Sequence, residues 1–282
     1  MEKIKKRYRI MRRAMGKELR EHRSSFIVFS ILRALVVLVM VLQVFNRNYE
    51  NVFLCGITLV LLLMPSFVQL EFRVELPRTL EIIILLFIFS AEILGEIGEF
   101  YIKIPGWDTM LHTMNGLLAA AVGFSMIDLL NRSKRYSFQL SPLFLTMVAF
   151  CFSMTIGVLW EFFEFGMDRF LHMDMQKDTV VHTIRSVMLD PQRRNVPYVI
   201  DGIDSVVVNG KELGLGGYLD IGLIDTMKDL FVNFVGAVVF SFFGYFYVKS
   251  RGKSRFAKSL IPQLKKKNAD FLTQAEEDEK IS

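Results

Sequence analysis

"IDTMKDLFVNFVGAVVF", residues 224–240, decides how the whole chain is read. It has the apolar content of a membrane-spanning helix. Yet Asp225, Asp229 and Asn233 recur every fourth residue and so stack along one helical face. A carboxylate facing hydrocarbon costs several kcal/mol. The stripe must therefore face protein, water or a cation, and the rest of the sequence has to supply that environment.

The 282 residues are 52% hydrophobic with 26 Phe, and the apolar positions fall in runs rather than at the scattered spacing of a soluble core. Runs of about 20 residues are long enough to cross a bilayer. The chain reads as an integral membrane protein. Its net charge of +5 is concentrated in "MEKIKKRYRIMRRAMGKELREHR" at residues 1–23 and in "KSRGKSRFAKSLIPQLKKK" after the last run. Basic arms beside spans read as topology signals, and no nucleic-acid partner is expected. Cys55 and Cys151 both sit inside apolar runs, which indicates neither a disulfide framework nor a thiolate metal site. The first run is too long for a signal-peptide core and no small-x-small site follows it, so it reads as an uncleaved anchor.

Six spans are predicted, at roughly 24–45, 51–70, 79–101, 108–130, 140–167 and 221–248. The expected fold is an all-α integral membrane protein, a six-transmembrane-helix bundle with one extracytoplasmic insertion carrying a small β-hairpin. Its parts are a basic cytoplasmic arm at 1–23, a membrane domain at 24–248 with the insertion at 169–220, and a cytoplasmic tail at 249–282. The positive-inside rule puts both termini and Arg132, Lys134 and Arg135 in the cytoplasm. Within the insertion, "DSVVVNGKEL" predicts a hairpin turning at Asn209–Gly210 in a type I′ turn. The final "AEEDEKIS" reads as a solvated, frayed tail.

On this topology four helices bring polar stripes to one leaflet, the outer one. Span three carries Glu92, Glu96 and Glu99; span four carries Asp108, His112 and Asn115; span five carries Glu161, Glu164 and Asp168; span six carries Asp225, Asp229 and Asn233. Each stripe alone has a plain explanation in helix-end electrostatics or interfacial wetting, and the Phe162, Phe163 and Phe165 cluster in lipid contact. Together the nine carboxylates would repel one another, with only Arg169 and Lys228 nearby in sequence. They must be protonated, hydrated or bound to a cation. One histidine among hard oxygen ligands suits a divalent ion such as Mg²⁺, Mn²⁺ or Zn²⁺. Glu161, Glu164, Asp225 and Asp229 are the candidate metal ligands, and Asp108 and His112 the candidate acid–base pair. Glu92, Glu96, Asn115 and Asn233 are candidates for substrate contact or support. Arg33, in the middle of span one, either snorkels or pairs with an acid.

The pattern Asp108/His112, then Glu161/Glu164, then Asp229/Asn233/Gly236 with Asp225 preceding it, resembles the YjdF-like family of bacterial inner-membrane proteins and, more remotely, the VanZ-like group. The resemblance covers about residues 79–248 and implies a shared helical core, a site at these residues and a bacterial inner-membrane location. It implies no reaction. Three functions stay open. One is an intramembrane, metal-assisted enzyme acting on a lipid or lipid-linked envelope substrate. The second is a binding or assembly factor using the external hairpin. The third is a proton- or cation-coupled transporter, for which a homo-oligomer would supply the missing symmetry. The polar stripes fade beyond Asn115 and Asn233, which favours a one-sided pocket.

Overall fold

A computed structural model describes residues 2–131, 140–250, 259–265 and 269–281. Arg132, Lys134 and Arg135 of the expected inner loop lie outside the described residues. The chain is mostly helical, and its helices follow the apolar runs closely. Among the described residues, five helices are long and apolar enough to cross a membrane: Arg23–Phe45, Tyr49–Glu71, Trp107–Asp128, Pro142–Leu171 and Leu223–Lys249.

The chain divides into two units, residues 1–155 with 232–282, and residues 156–231. The division falls inside two long helices, named below as α8 and α9.

The first unit begins with α1 (Glu2–Glu21), an amphipathic helix, followed by α2 (Arg23–Phe45). Arg33 on α2 is exposed and its guanidinium lies 5.9 Å from the centre of the Phe29 ring on the same helix. The second apolar run is broken into α3 (Tyr49–Leu61) and α4 (Met64–Glu71). Pro65 sits in the first turn of α4, where its missing N–H is harmless, but its ring would obstruct a continuous helix. The Asn48 side chain starts α3 by accepting the Asn51 backbone N–H at 3.1 Å.

The third run departs most from an ordinary helix. It forms α5 (Arg78–Phe89) and then continues as a π-helix over Ser90–Ile97. The π segment ends at Gly98, and Glu99 adopts a left-handed backbone with φ 59°. Its carboxylate meets Lys103 Nζ at 2.7 Å, out on the exposed surface. The stripe expected at Glu92, Glu96 and Glu99 therefore stops before its last member. A short α6 (Phe100–Lys103) leads to α7 (Trp107–Asn131).

The first half of α8 (Pro142–Leu171) and the second half of α9 (Leu223–Lys249) complete this unit's core. Phe124 on α7 and Phe240 on α9 meet edge to face at 5.9 Å, and both are excluded from solvent. Leu145, Ala149, Ala121 and Ala237 fill in around them. A second cluster joins Phe29, Leu32 and Val36 of α2 to Cys55, Leu62, Leu85 and Ile93.

The described segments near both termini are folded. Strand β1 (Val74–Glu75) pairs antiparallel with residues Gln263–Leu264, and the helix Phe271–Ile281 packs on α1. Ala275 of that helix is buried with Ala14 of α1 and Leu70 of α4. The frayed tail expected from "AEEDEKIS" is thus a helix through Ile281. Its apolar residues supply one wall of a small core, which the acidic character of the segment obscures in sequence.

The second unit holds the far end of α8, a strand-rich loop and the start of α9. Strands β2 (Val180–Val181) and β7 (Tyr218–Leu219) pair antiparallel, as do β3 (Ile184–Ser186) and β4 (Tyr198–Ile200). Strands β5 (Val207–Val208) and β6 (Lys211–Glu212) form the predicted hairpin. Asn209 at φ 52° and Gly210 at φ 79° give its turn the two positive φ values of a type I′ turn. Asp220 caps α9, accepting the Thr179 and Ile224 backbone N–H groups at 2.7 Å each.

Candidate metal centre

Within the first unit, α7, α8 and α9 are fastened at one level. A Cβ added to Gly116 would lie 2.1 Å from the Asn233 carbonyl oxygen, and one added to Gly236 would lie 2.1 Å from that of Thr113. The backbones of α7 and α9 approach this closely because both positions lack a side chain. Ser153 Oγ donates to the Gly116 carbonyl at 2.7 Å, tying α8 to α7. Asn233 donates to the Ser153 carbonyl at 3.4 Å and accepts from Asn115 Nδ2 at 3.1 Å. Ser153 and Asn233 are both buried. The amide side chains of Asn115 and Asn233 thereby satisfy buried backbone and side-chain groups at the crossing.

From that level helical periodicity carries each polar stripe onward. On α7, His112 lies three residues before Asn115, and Asp108 one turn further; His112 Nε2 is 3.4 Å from Asp108 Oδ1. On α9, Asp229 precedes Asn233 by one turn and is 1% exposed. On α8, Glu161 and Glu164 share a face beyond Ser153 and are 5% and 7% exposed. Trp160 Nε1 donates to Glu164 Oε1 at 2.7 Å, fixing the orientation of that carboxylate.

A buried group of acidic and histidine side chains that could hold a metal ion is present. The residues concerned are Asp108, His112, Glu161, Glu164 and Asp229.

The remaining expected residues are placed differently. Asp225 is half-buried and its Oδ2 accepts the Lys177 backbone N–H at 2.8 Å. Asp168 accepts the N–H groups of Met175 at 2.6 Å and Gln176 at 2.8 Å. Both carboxylates are thus engaged in holding the chain that leaves α8, and Gln176 adds a 2.6 Å bond to Thr226. Glu92 is half-buried and Glu96 exposed, both on the π segment. Sequence reasoning missed Ser153, Trp160 and Gly116. Ser153 precedes Glu161 by about two turns on the same side of α8, which was the available signal.

A family model described as "Predicted membrane protein (DUF2238)" matches residues 28–250, most of the chain. The chain belongs to this family. The match spans every helix that contributes to the buried group. No curated protein and no solved structure matches this DUF2238 member.

Proposed function

We propose that this DUF2238 protein is a multi-pass membrane enzyme that uses a divalent cation on a lipid or lipid-linked envelope substrate. Glu161, Glu164 and Asp229 ligate the ion, Mg²⁺, Mn²⁺ or Zn²⁺. His112, oriented by Asp108, serves as base toward an ion-bound water. The ion would lower the pKa of that water and polarise a phosphoryl or carbonyl oxygen. Asn115 and Asn233 brace the helices that carry the site. The single observation that carries the reading is the burial of the three carboxylates: Asp229 is 1%, Glu161 5% and Glu164 7% exposed. Carboxylates so poorly solvated need a cation, a proton or water to be tolerated.

On this reading α5 and the π segment together make a sixth span. The termini are cytoplasmic, the hairpin is outside and the membrane is the bacterial inner one. The YjdF-like pattern of Asp229, Asn233 and Gly236 agrees with this assignment. Transport fits less well, because Phe124, Leu145, Ala149, Ala237 and Phe240 form a layer excluded from solvent. A second reading, a binding or assembly factor, rests on the apolar surface of the strand loop, where Val207 is 62% and Tyr198 50% exposed.

The test is metal analysis of detergent-purified protein after divalent-ion loading and desalting. Near-stoichiometric metal in the wild type, lost in Glu164→Gln and retained in Glu81→Gln, supports the centre. Equal metal content in all three removes it.

A further inference from the structure

The loop of residues 172–222 joins the end of α8 to the start of α9, two helices long and apolar enough to cross a membrane. Within it the hairpin of β3 and β4 is built inside out. Between Ile184 and Ile200 the only buried residue is Asp190, a carboxylate. Every residue from Pro191 to Ile200 is exposed. Successive residues of a strand point to opposite faces, so the exposure of Tyr198, Val199 and Ile200 in turn leaves both faces of β4 uncovered. The two strands pair only with each other. A lone two-stranded hairpin is at best marginal in water, and this one carries its apolar side chains on the outside.

The tip is nonetheless held in one shape. Ser186 Oγ accepts the Met188 N–H at 3.1 Å. Asp190 accepts the N–H groups of Gln192 at 3.1 Å and of Arg194 at 2.8 Å. The carboxylate is used inward, while Val187, Met188 and Val196 stand outward; Met188 is 88% exposed. Arg193 is exposed among them. A preformed apolar tip loses little conformational freedom when it is covered.

The chain itself brings a cover close. Asp220 bonds both Thr179, beside β2, and Ile224, in the first turn of α9, so β2 is anchored where α9 begins. Met188 follows Val181 by seven residues, a reach of at most about 25 Å. Phe170 and Leu171 at the end of α8, and Ile221 and Leu223 at the start of α9, are exposed as well. Apolar side chains thus stand outward at both helix ends and at the tip between them.

We propose that the tip of the β3–β4 hairpin lies in the surface of the bilayer from which α8 and α9 emerge, covered by phospholipid. Val187, Met188 and Val196 enter the boundary of the acyl chains. Tyr198 supplies a ring with a polar end, suited to the interface, and Arg193 forks onto lipid phosphate. The loop is then held down at its middle as well as at its two ends. This assignment is independent of the metal centre.

The test uses full-length Cys55→Ala/Cys151→Ala protein in phosphatidylcholine nanodiscs, with bimane on a single cysteine. The label sits at Val196→Cys or, for comparison, at Asn209→Cys in the polar turn of the other hairpin. Its quenching by phosphatidylcholine with brominated acyl chains is set against quenching by aqueous iodide. At 196, brominated lipid should lower the fluorescence roughly twofold or more and iodide should have little effect, with the reverse at 209. Adding Met188→Glu should remove most of the lipid quenching at 196, whereas Met188→Leu should keep it, because only the charge is excluded from the acyl boundary. Quenching at 196 by iodide and not by lipid would overturn the proposal, since the tip then stands in water. Protection from both quenchers would overturn it too, in favour of a protein cover such as a second copy of the chain. So would lipid quenching that Met188→Glu leaves unchanged, because the tip would then not be the anchor.

Discussion

Asn115 on α7 donates its side-chain amide to Oδ1 of Asn233 on α9 at 3.1 Å, and Asn233 in turn donates to the α8 backbone at Ser153. One buried amide thus fixes the register of three helices. Asn233→Ala should destabilise the detergent-solubilised protein by about 1–3 kcal/mol, since it leaves buried partners unsatisfied. Asn115 is only half-buried, so Asn115→Ala should cost less. The double variant should cost less than the sum of the two, because the groups are in contact. Thermal unfolding of the three variants checks this, and additive losses would mean the bond contributes nothing.

Gly116 and Gly236 allow the same crossing from the backbone side. Gly116→Ala and Gly236→Ala each place a Cβ about 2.1 Å from a carbonyl oxygen that belongs to the other helix and cannot swing away. Each should destabilise by several kcal/mol or prevent folding. Gly16→Ala, with open space at its Cβ, should be neutral or stabilising by up to about 1 kcal/mol. Expression level and monodispersity in size exclusion suffice to separate these outcomes.

Asp229→Asn tests why a carboxylate is retained at 1% exposure. Without a cation to hold, the substitution should be harmless or stabilising, since it removes a poorly solvated charge at constant shape. With one, it should abolish the thermal stabilisation that divalent ions confer by binding only the folded state. Glu164→Gln should do likewise and Glu81→Gln should not. The same response in all three would sink the metal centre.

The topology has its own check. Single cysteines in a background lacking Cys55 and Cys151 should react with an impermeant thiol reagent at Asn209 and fail to react at Ser133. Labelling at Ser133 in intact cells would invert the orientation.

Acid should loosen the strand loop locally. Backbone N–H groups of Arg194 and Gln192 hold the Asp190 carboxyl below its ordinary value. A depressed carboxylate contributes stability that is present above its unfolded value near 3.8 and is lost as pH falls through the folded one. Hydrogen–deuterium exchange at residues 187–196 should therefore accelerate, after correction for intrinsic rates, only below about pH 4. Asp190→Asn should show that faster exchange already at neutral pH.

The long helices were legible because apolar runs need no context, and the Asn209–Gly210 turn because positive φ at two adjacent residues has few sequence solutions. Stripe positions on α7, α8 and α9 followed from a 3.6-residue period, which those helices keep. The third run does not keep it. A π segment shifts every later residue around the axis, and so Glu99 reached solvent instead of extending the stripe. Trp160 and Ser153 were missed for another reason: spacing put Ser153 on the side of Glu161, but the partners that give both residues their roles lie one turn or one helix away. The short pairings of β2 with β7 and β3 with β4 are two or three residues long, below what alternation can signal.

The packing of residues 271–281 on α1 has a consequence in time. Residues 271–281 leave the ribosome after all the apolar helices described above, yet they cover the face of α1, which leaves well before them. Through most of synthesis Ile10, Met11 and Met15 lack that cover, and so does the β1 edge until Gln263–Leu264 arrive to pair with it. A nascent chain stalled before that point would present an uncovered amphipathic helix, the kind of surface that chaperones and proteases recognise.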